Sequence, residues 1–352
     1  MHFALLIFAP VAELADAPDL GSGVNTCGFD PCQAHHTAAI FISRRIFVLR
    51  KNSMDKATKA TLAALLGYSI FGFSFLFSKT ALGFASPFLL LAVRFFIAFI
   101  ALNAVLIFGK KKFSLKGKPV ANLLLLGLIQ PVCYFIFETY GINSTSAAFS
   151  GVMIGMVPVV GLIFGILFLK EKCSLLQGLC TVFSVFGVYL TTSGGFGNVS
   201  AKGFLLLFGA VVSAALFTIL SRKISKDFSA FERTYVMFLL GSAVFIPVAF
   251  FEGRNDFSAM LKPFSEPMFW ISVIYLAIIS SVCAFLLINS ALNHIPAGRA
   301  LIFSNFTTVI SVLAGIFIMG DSFSGIQLLG ILIITVSVFG VSYNGKNKKH
   351  TA

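Results

Sequence analysis

The chain has 352 residues, 58% of them hydrophobic and 11% charged, with a mean hydropathy of +0.96. Soluble domains run at about 45–50% apolar and 25% charged, so an ordinary cytosolic enzyme is excluded and a polytopic membrane protein is expected. The net charge of +13 would suit nucleic acid in a soluble chain, but in a membrane protein it points to basic cytoplasmic loops. The 6 Cys show neither disulfide-scaffold nor zinc-like spacing, so no metal is expected, and without a phosphate-loop or cofactor motif no cofactor is expected either.

Residues 1–53 differ from the rest of the chain. They are mixed in polarity, with Glu13, Asp16, Asp19 and Asp30 beside Arg44, Arg45, Arg50 and Lys51, and they contain CGFDPC. FALLIFAPVA makes a poor signal peptide, because only His2 precedes it and ELADAP stands where a small-residue cleavage site would be. The stretch VAELADAPDLGSGVNTCGFDPCQAHH resembles a peptide read across a transfer-RNA gene. Residues 1–53 are therefore expected to be a spurious or disordered extension, with Met54 as the initiator.

Ten apolar runs occupy the remainder, near 60–82, 87–108, 119–140, 146–169, 175–193, 203–221, 231–251, 267–292, 298–319 and 325–343. A span needs about 20 such residues to cross ~30 Å of hydrocarbon, and lipid leaves the helix as the spanning form for runs of this length. Orientation is set by the bases. With the Met54 end inside, cytoplasmic segments hold Lys56 and Lys59; Lys110, Lys111, Lys112, Lys116 and Lys118; Lys170 and Lys172; Arg222, Lys223, Lys226 and Arg233; Arg299; and Lys346, Lys348 and Lys349. The opposite side receives Lys79, Lys202, Arg254 and Lys262. This bias puts both termini in the cytoplasm and removes the need for a nucleic-acid partner.

The two halves repeat one another. Shifted by 150 residues, GILFLKEKCSLLQGLC (165–180) meets GIFIMGDSFSGIQLLG (315–330), aligning Glu171 with Asp321, Ser174 with Ser324 and Gln177 with Gln327. S-x-x-Q is a capping box that starts the fifth and the tenth helix. The expected organisation is a first repeat at 54–195 (helices 1–5), a second at 196–345 (helices 6–10) and a basic tail at 346–352. A unit with an odd number of spans enters the membrane upside down relative to its copy, and inverted repeats mark secondary transporters with a site near the midplane.

These segments resemble the EamA-type drug/metabolite transporter superfamily. The resemblance rests on FSFLFSK (73–79), VRF (93–95), FETYGINSTSAAF (137–149), MVPVVGLIFGILFLKE (156–171), ALFTILSRK (215–223) and the Asp321–Gln327 segment, and covers Met54 to about Asn344. Thr308 stands where the first repeat has Pro158, and Asp321 replaces the more usual Glu. The resemblance implies an all-α carrier of ten transmembrane helices in two inverted five-helix repeats, with a central cavity, in a bacterial cytoplasmic membrane. It implies an exporter of small metabolites, amino-acid-like or drug-like, with protons as coupling ion; import or exchange of similar solutes is the alternative.

Particular residues are expected to line the pathway. Gln130, Tyr134 and Glu138 stand four apart on span three, and a shift of 151 places Ser281, Phe285 and Asn289 at matching positions on span eight. An intramembrane carboxylate is costly, and Glu138 lies near a helix C-terminus, where the macrodipole disfavours it. Arg94, about 10 Å below Pro87 by helix rise, and Lys79 are its possible partners. Two readings stand side by side: a charge cluster that binds a solute or passes a proton, or a fixed structural Arg94–Glu138 pair. Gly151, Gly155, Gly161 and Gly165 on span four and Ser311 and Gly315 on span nine are spaced for close helix packing.

Other groups read as structural. Trp270 and Tyr275 suit an aromatic belt, and His294 a turn beside Pro296. Asn305 and Thr307 suit inter-helix hydrogen bonds as well as substrate contact. Glu171 and Asp321 suit helix starts. Cys133, Cys173, Cys180 and Cys283 behave as small apolar residues. The rival class, an intramembrane enzyme, would need a convergent catalytic constellation at membrane depth. After residue 53 the chain offers only His294 and His350, neither inside a span. No catalytic residue is assigned. A channel fits the inverted repeat poorly.

Overall fold

The computed structural model describes residues 56–109, 113–169, 174–193, 201–297, 300, 303–320 and 324–344. The expectations for residues 1–53, Cys173, Glu171, Asp321, Arg299 and the 346–352 tail fall outside them. Among the described residues the chain is helical and has no strand.

The principal helices are α1 (Lys56–Leu82), α2 (Pro87–Phe108), α3 (Val120–Asn143), α4 (Ala147–Ile154, continued as Val157–Leu169), α5 (Leu175–Ser193), α6 (Ala201–Ile224), α7 (Ala230–Gly253), α8 (Pro267–His294), α9 (Asn305–Met319) and α10 (Gly325–Asn344). Seven of them, α1–α4 and α6–α8, have described stretches long and apolar enough to cross a bilayer. The fifth, ninth and tenth expected spans coincide with shorter apolar segments, Gly178–Gly187, Asn305–Met319 and Gly325–Ser337. The chain is an all-α, multi-pass membrane protein.

Local chemistry sets the helix starts. Ser86 accepts from Leu89 N and stands before Pro87, a proline at a position that needs no N–H. Ser146 accepts from Phe149 N, and Ser229 forms a reciprocal capping box with Glu232. The expected box at α10 is present: Gln327 N donates to Ser324 Oγ (3.4 Å) and Ser324 N to Gln327 Oε1 (2.8 Å). The Gln177 side chain of its counterpart lies outside the described residues.

Packing obeys a simple exchange rule. The principal contacts join α2 with α7, α4 with α9 and α5 with α10; α1 with α8 and α3 with α6; α1 with α9 and α4 with α6; α2 with α8 and α3 with α7. Replacing every helix by the one five places along returns the same set of pairs. Helices α3 and α8, which exchange under this rule, are both opened by wide π-type turns, at Leu128–Cys133 and Tyr275–Cys283. In α3 the break has an evident cause: Pro131 supplies no N–H, and Gln130 leaves helical geometry at φ −148, ψ 117. The Gln130–Pro131 peptide is cis.

Small residues bring α4 and α9 together. A Cβ on Gly151 would stand 2.5 Å from Ser311 Cβ, and one on Gly155 2.7 Å from Thr308 Oγ1. Thr308 in turn donates to Gly151 O at 2.8 Å. Gly161 and Gly165 lie further along α4, and Gly315 is buried on α9. Because this interface admits no extra methyl, Gly151→Ala is expected to cost about 1–3 kcal/mol and lower the unfolding midpoint of detergent-purified protein. Adding Ser311→Gly should recover most of the loss. An unchanged midpoint in Gly151→Ala contradicts this contact.

Candidate functional site

A cavity of about 40 Å³ lies where α1, α3, α4, α6, α8 and α9 converge, a set that the five-helix exchange maps onto itself. Five aromatic rings, Tyr68, Phe71, Phe75, Tyr134 and Phe217, form much of its wall. Its polar groups come from Tyr68, Gln130, Tyr134, Thr218, Ser304 and Thr307. Three of these hydroxyls spend their protons on the protein: Tyr134 donates to Glu138 Oε1 (2.8 Å), Thr218 to Ala214 O (2.9 Å) and Thr307 to Tyr68 O (2.8 Å). Gln130 is different. It is 4% exposed, and its Oε1 has no hydrogen-bond partner.

Behind Tyr134 stands Glu138, 4% exposed on the same face of α3. Arg94 does not close an ion pair with it. The guanidinium donates through Nε to Ser281 Oγ (2.9 Å) and through Nη2 to Ser280 Oγ (3.3 Å), and it lies over the Phe135 ring at 4.3 Å. Arg94 and Glu138 feel one another only as charges at longer range. Arg94 thus joins α2 to α8 at the wide turn of α8.

Lys79 lies apart from this pair, contrary to the expected three-charge cluster. Its ammonium donates to Ile142 O (2.9 Å) and Thr145 O (2.6 Å) at the C-terminal end of α3. The physical reason is that free carbonyls and the negative helix end attract a cation there, and Lys79 supplies it. Arg222 does the same for α8, donating to Leu292 O (2.6 Å) and Asn293 O (2.9 Å). Lys79 ends FSFLFSK and Arg222 sits in ALFTILSRK, so each repeat caps its third helix with a base from its first.

The stripe on α8 is divided. Ser281 binds Arg94, and Phe285 packs among Phe71, Phe135, Phe217 and Phe238. Asn289 accepts from Ser221 Oγ (2.7 Å) and donates to Thr234 Oγ1 (2.9 Å). None of the three lines the cavity; Ile288 does. The π-type turn shifts the helical phase between Ser281 and Asn289, so a four-residue period fails across it.

Arg233, a loop base by charge counting, is fully buried at 0% exposure. It donates to Ser221 O (2.7 Å), Ser221 Oγ (2.6 Å), Asn289 O (2.6 Å) and Asn293 Oδ1, tying α7 to α6 and α8. Carbonyls and hydroxyls satisfy this cation without a carboxylate. Tyr275 is a second correction. It faces α1, donating to Ile70 O (3.0 Å) and stacking on Phe77, whereas Trp270 is exposed and donates to Phe264 O. His294 Nδ1 contacts Ser290 O in the last turn of α8. Cys133, Cys180 and Cys283 are free thiols, and among the described residues no group of side chains is placed to hold a metal.

Both ends of the α2–α7 pair are fastened across the halves. At the Lys-poor end Ser86 donates to Glu252 Oε2 at 2.6 Å. At the Lys-rich end Lys118 Nζ meets Glu232 at 2.7 and 2.8 Å, Ser114 N donates to the same carboxylate, and Lys118 sits over Phe228. Glu232→Gln keeps the capping box but removes the charge. That variant and Lys118→Met are each expected to cost about 1–3 kcal/mol, and the double variant little more than either alone. Additive losses in unfolding midpoint contradict a shared contact.

The comparisons agree with this architecture. The model of the "EamA-like transporter family" matches twice, over residues 58–193 and 201–343. The chain is 33% identical over 296 residues to the uncharacterized transporter YcxC of Bacillus subtilis, covering 83% of this chain and 95% of that protein. It is 28% identical over 306 residues to the uncharacterized transporter YetK of the same organism, covering 85% and 90%. One crystal structure superimposes with a TM-score of 0.63 at 17% identity, over 83% of this chain and 99% of the other, which shows a shared fold. Such relatives make this a membrane transporter, not an enzyme, with a small-molecule substrate and the lipid bilayer as its surroundings. The chain belongs to the EamA-like transporter family.

Proposed function

We propose that the protein is a proton-coupled carrier that exports small organic solutes across a bacterial cytoplasmic membrane by alternating access, with both termini inside. One observation carries this reading: a small aromatic and polar cavity is lined by three helices of one half and their three counterparts from the other. A cavity of about 40 Å³ has room for a few water molecules, whereas sites for drug-sized ligands run to about 300–1,000 Å³. Loading and release therefore require the halves to move. Rocking about the close α4–α9 contact would open one end while the other stays fastened by Ser86–Glu252 or Lys118–Glu232. Outward direction is the expectation that the family resemblance supplies, and the base distribution supports the orientation.

Proton coupling is assigned to Glu138 and Tyr134. With Glu138 ionised, the Tyr134 hydroxyl donates a hydrogen bond to the carboxylate, and the phenolic oxygen keeps a lone pair for a solute N–H or O–H. With Glu138 protonated, the carboxylic acid can donate to that oxygen and occupy it. Solute and proton then compete for one acceptor, which is the requirement for exchange. Wild-type protein in proteoliposomes should show saturable counterflow of a solute chosen by competition among amino acids, nucleobases and sugar phosphates. Glu138→Gln should retain counterflow but lose accumulation driven by a pH gradient by at least about tenfold. Undiminished gradient-driven accumulation in that variant refutes the coupling role, and flux that does not saturate refutes the carrier.

A further inference from the structure

We propose that Gln130 is the specificity-determining residue of the central cavity, and that the solute it selects is uncharged and carries a flat donor–acceptor edge, as in a primary carboxamide, a lactam or a nucleobase. This inference rests on the carrier reading and names the substrate class of the same site.

The argument begins with hydrogen bonds. A buried amide without partners is costly, and in a membrane no solvent relieves it. Around this cavity the hydroxyls of Tyr134, Thr218 and Thr307 are already committed to protein acceptors. Gln130 alone among these wall residues presents a buried, unpartnered oxygen, at a side chain that is 4% exposed. An amide offers an acceptor and two donors in one plane. Its natural complement is another planar group with an acceptor beside an N–H, the pairing Gln makes with an adenine edge.

Charge and shape narrow the class further. No Lys, Arg, Asp, Glu or His lines the cavity among the described residues. Arg94 is occupied by Ser281 and Ser280, and Glu138 meets the cavity only through Tyr134. An ion held there would lack a counter-charge in a low-dielectric setting. The aromatic wall provides apolar faces for a flat ring. Tyr134, one helical turn after Gln130 on α3, offers its phenolic oxygen as a second acceptor for an N–H of the same solute. The break at Gln130–Pro131 matters here because the amide leaves the regular helix where the cavity lies. Discontinuous helices at substrate sites recur in secondary carriers.

Binding of nicotinamide and uracil to the detergent-purified full chain tests this, by thermal shift and by competition against labelled nicotinamide, with N,N-diethylnicotinamide and nicotinate as comparators. Nicotinamide or uracil should bind at least about tenfold more tightly than either comparator. Gln130→Leu should abolish that preference, with affinity falling by roughly tenfold or more, and Gln130→Asn should recover part of it. Without ligand, Gln130→Leu should raise the unfolding temperature, because it removes a buried amide that the protein leaves unpaired. A merely structural glutamine would lower it. The inference is overturned if neither amide probe binds, if nicotinate binds as tightly as nicotinamide, or if Gln130→Leu binds like the wild type. Saturable counterflow of a charged solute in the same preparation would overturn this inference while leaving the carrier reading in place.

Discussion

A bilayer interior supplies no hydrogen bonds, and the buried cations and hydroxyls of the described helices are placed in answer to that constraint. Arg94 and Arg233 are buried cations without carboxylate partners; serine hydroxyls and an aromatic ring hold Arg94, and carbonyls and a hydroxyl hold Arg233. Lys79 and Arg222 neutralise the carbonyl ends of α3 and α8. Thr307 and Thr308 tie α9 to α1 and α4 through backbone oxygens. Among the residues of the cavity wall, Gln130 alone presents a buried oxygen without a partner, and this is why we propose solute recognition there.

Duplication explains how a single chain builds a site of this kind. The cavity is built by both halves, with α1, α3 and α4 of one set against α6, α8 and α9 of the other. The same exchange puts wide turns in both α3 and α8. The two halves differ at matching positions: α3 carries Gln130, Tyr134 and Glu138, while on α8 Ser281 and Asn289 hold Arg94 and Arg233.

Much of this was legible in the sequence. Apolar runs located seven helices long enough to cross a bilayer, because lipid enforces length and composition together. The Ser324–Gln327 box and the small residues of α4 and α9 were readable because capping and close packing depend on residues three or four apart. The Gln130–Tyr134–Glu138 stripe marked the cavity wall and the buried carboxylate, although Gln130 lies outside regular helix. What stayed hidden depends on geometry between distant segments. Arg233 looked like a loop base because charge counting cannot distinguish a solvated end from one roofed by α6 and α8. Lys79 was drawn towards Glu138 by proximity along the membrane normal, whereas the carbonyls closing α3 were the stronger attraction. The period of four failed on α8 because its wide turn changes the helical phase between Ser281 and Asn289.

The central claim is that the two halves move as units about the α4–α9 contact, opening the ends in alternation. Spin labels at the exposed pair Lys116 and Lys226 report the Lys-rich end, and labels at the exposed pair Gly83 and Asn255 report the Lys-poor end. Distance distributions recorded across pH and solute conditions should change in opposite senses, one pair widening as the other closes. Distances that stay fixed at both ends during transport, or that widen together, would contradict it.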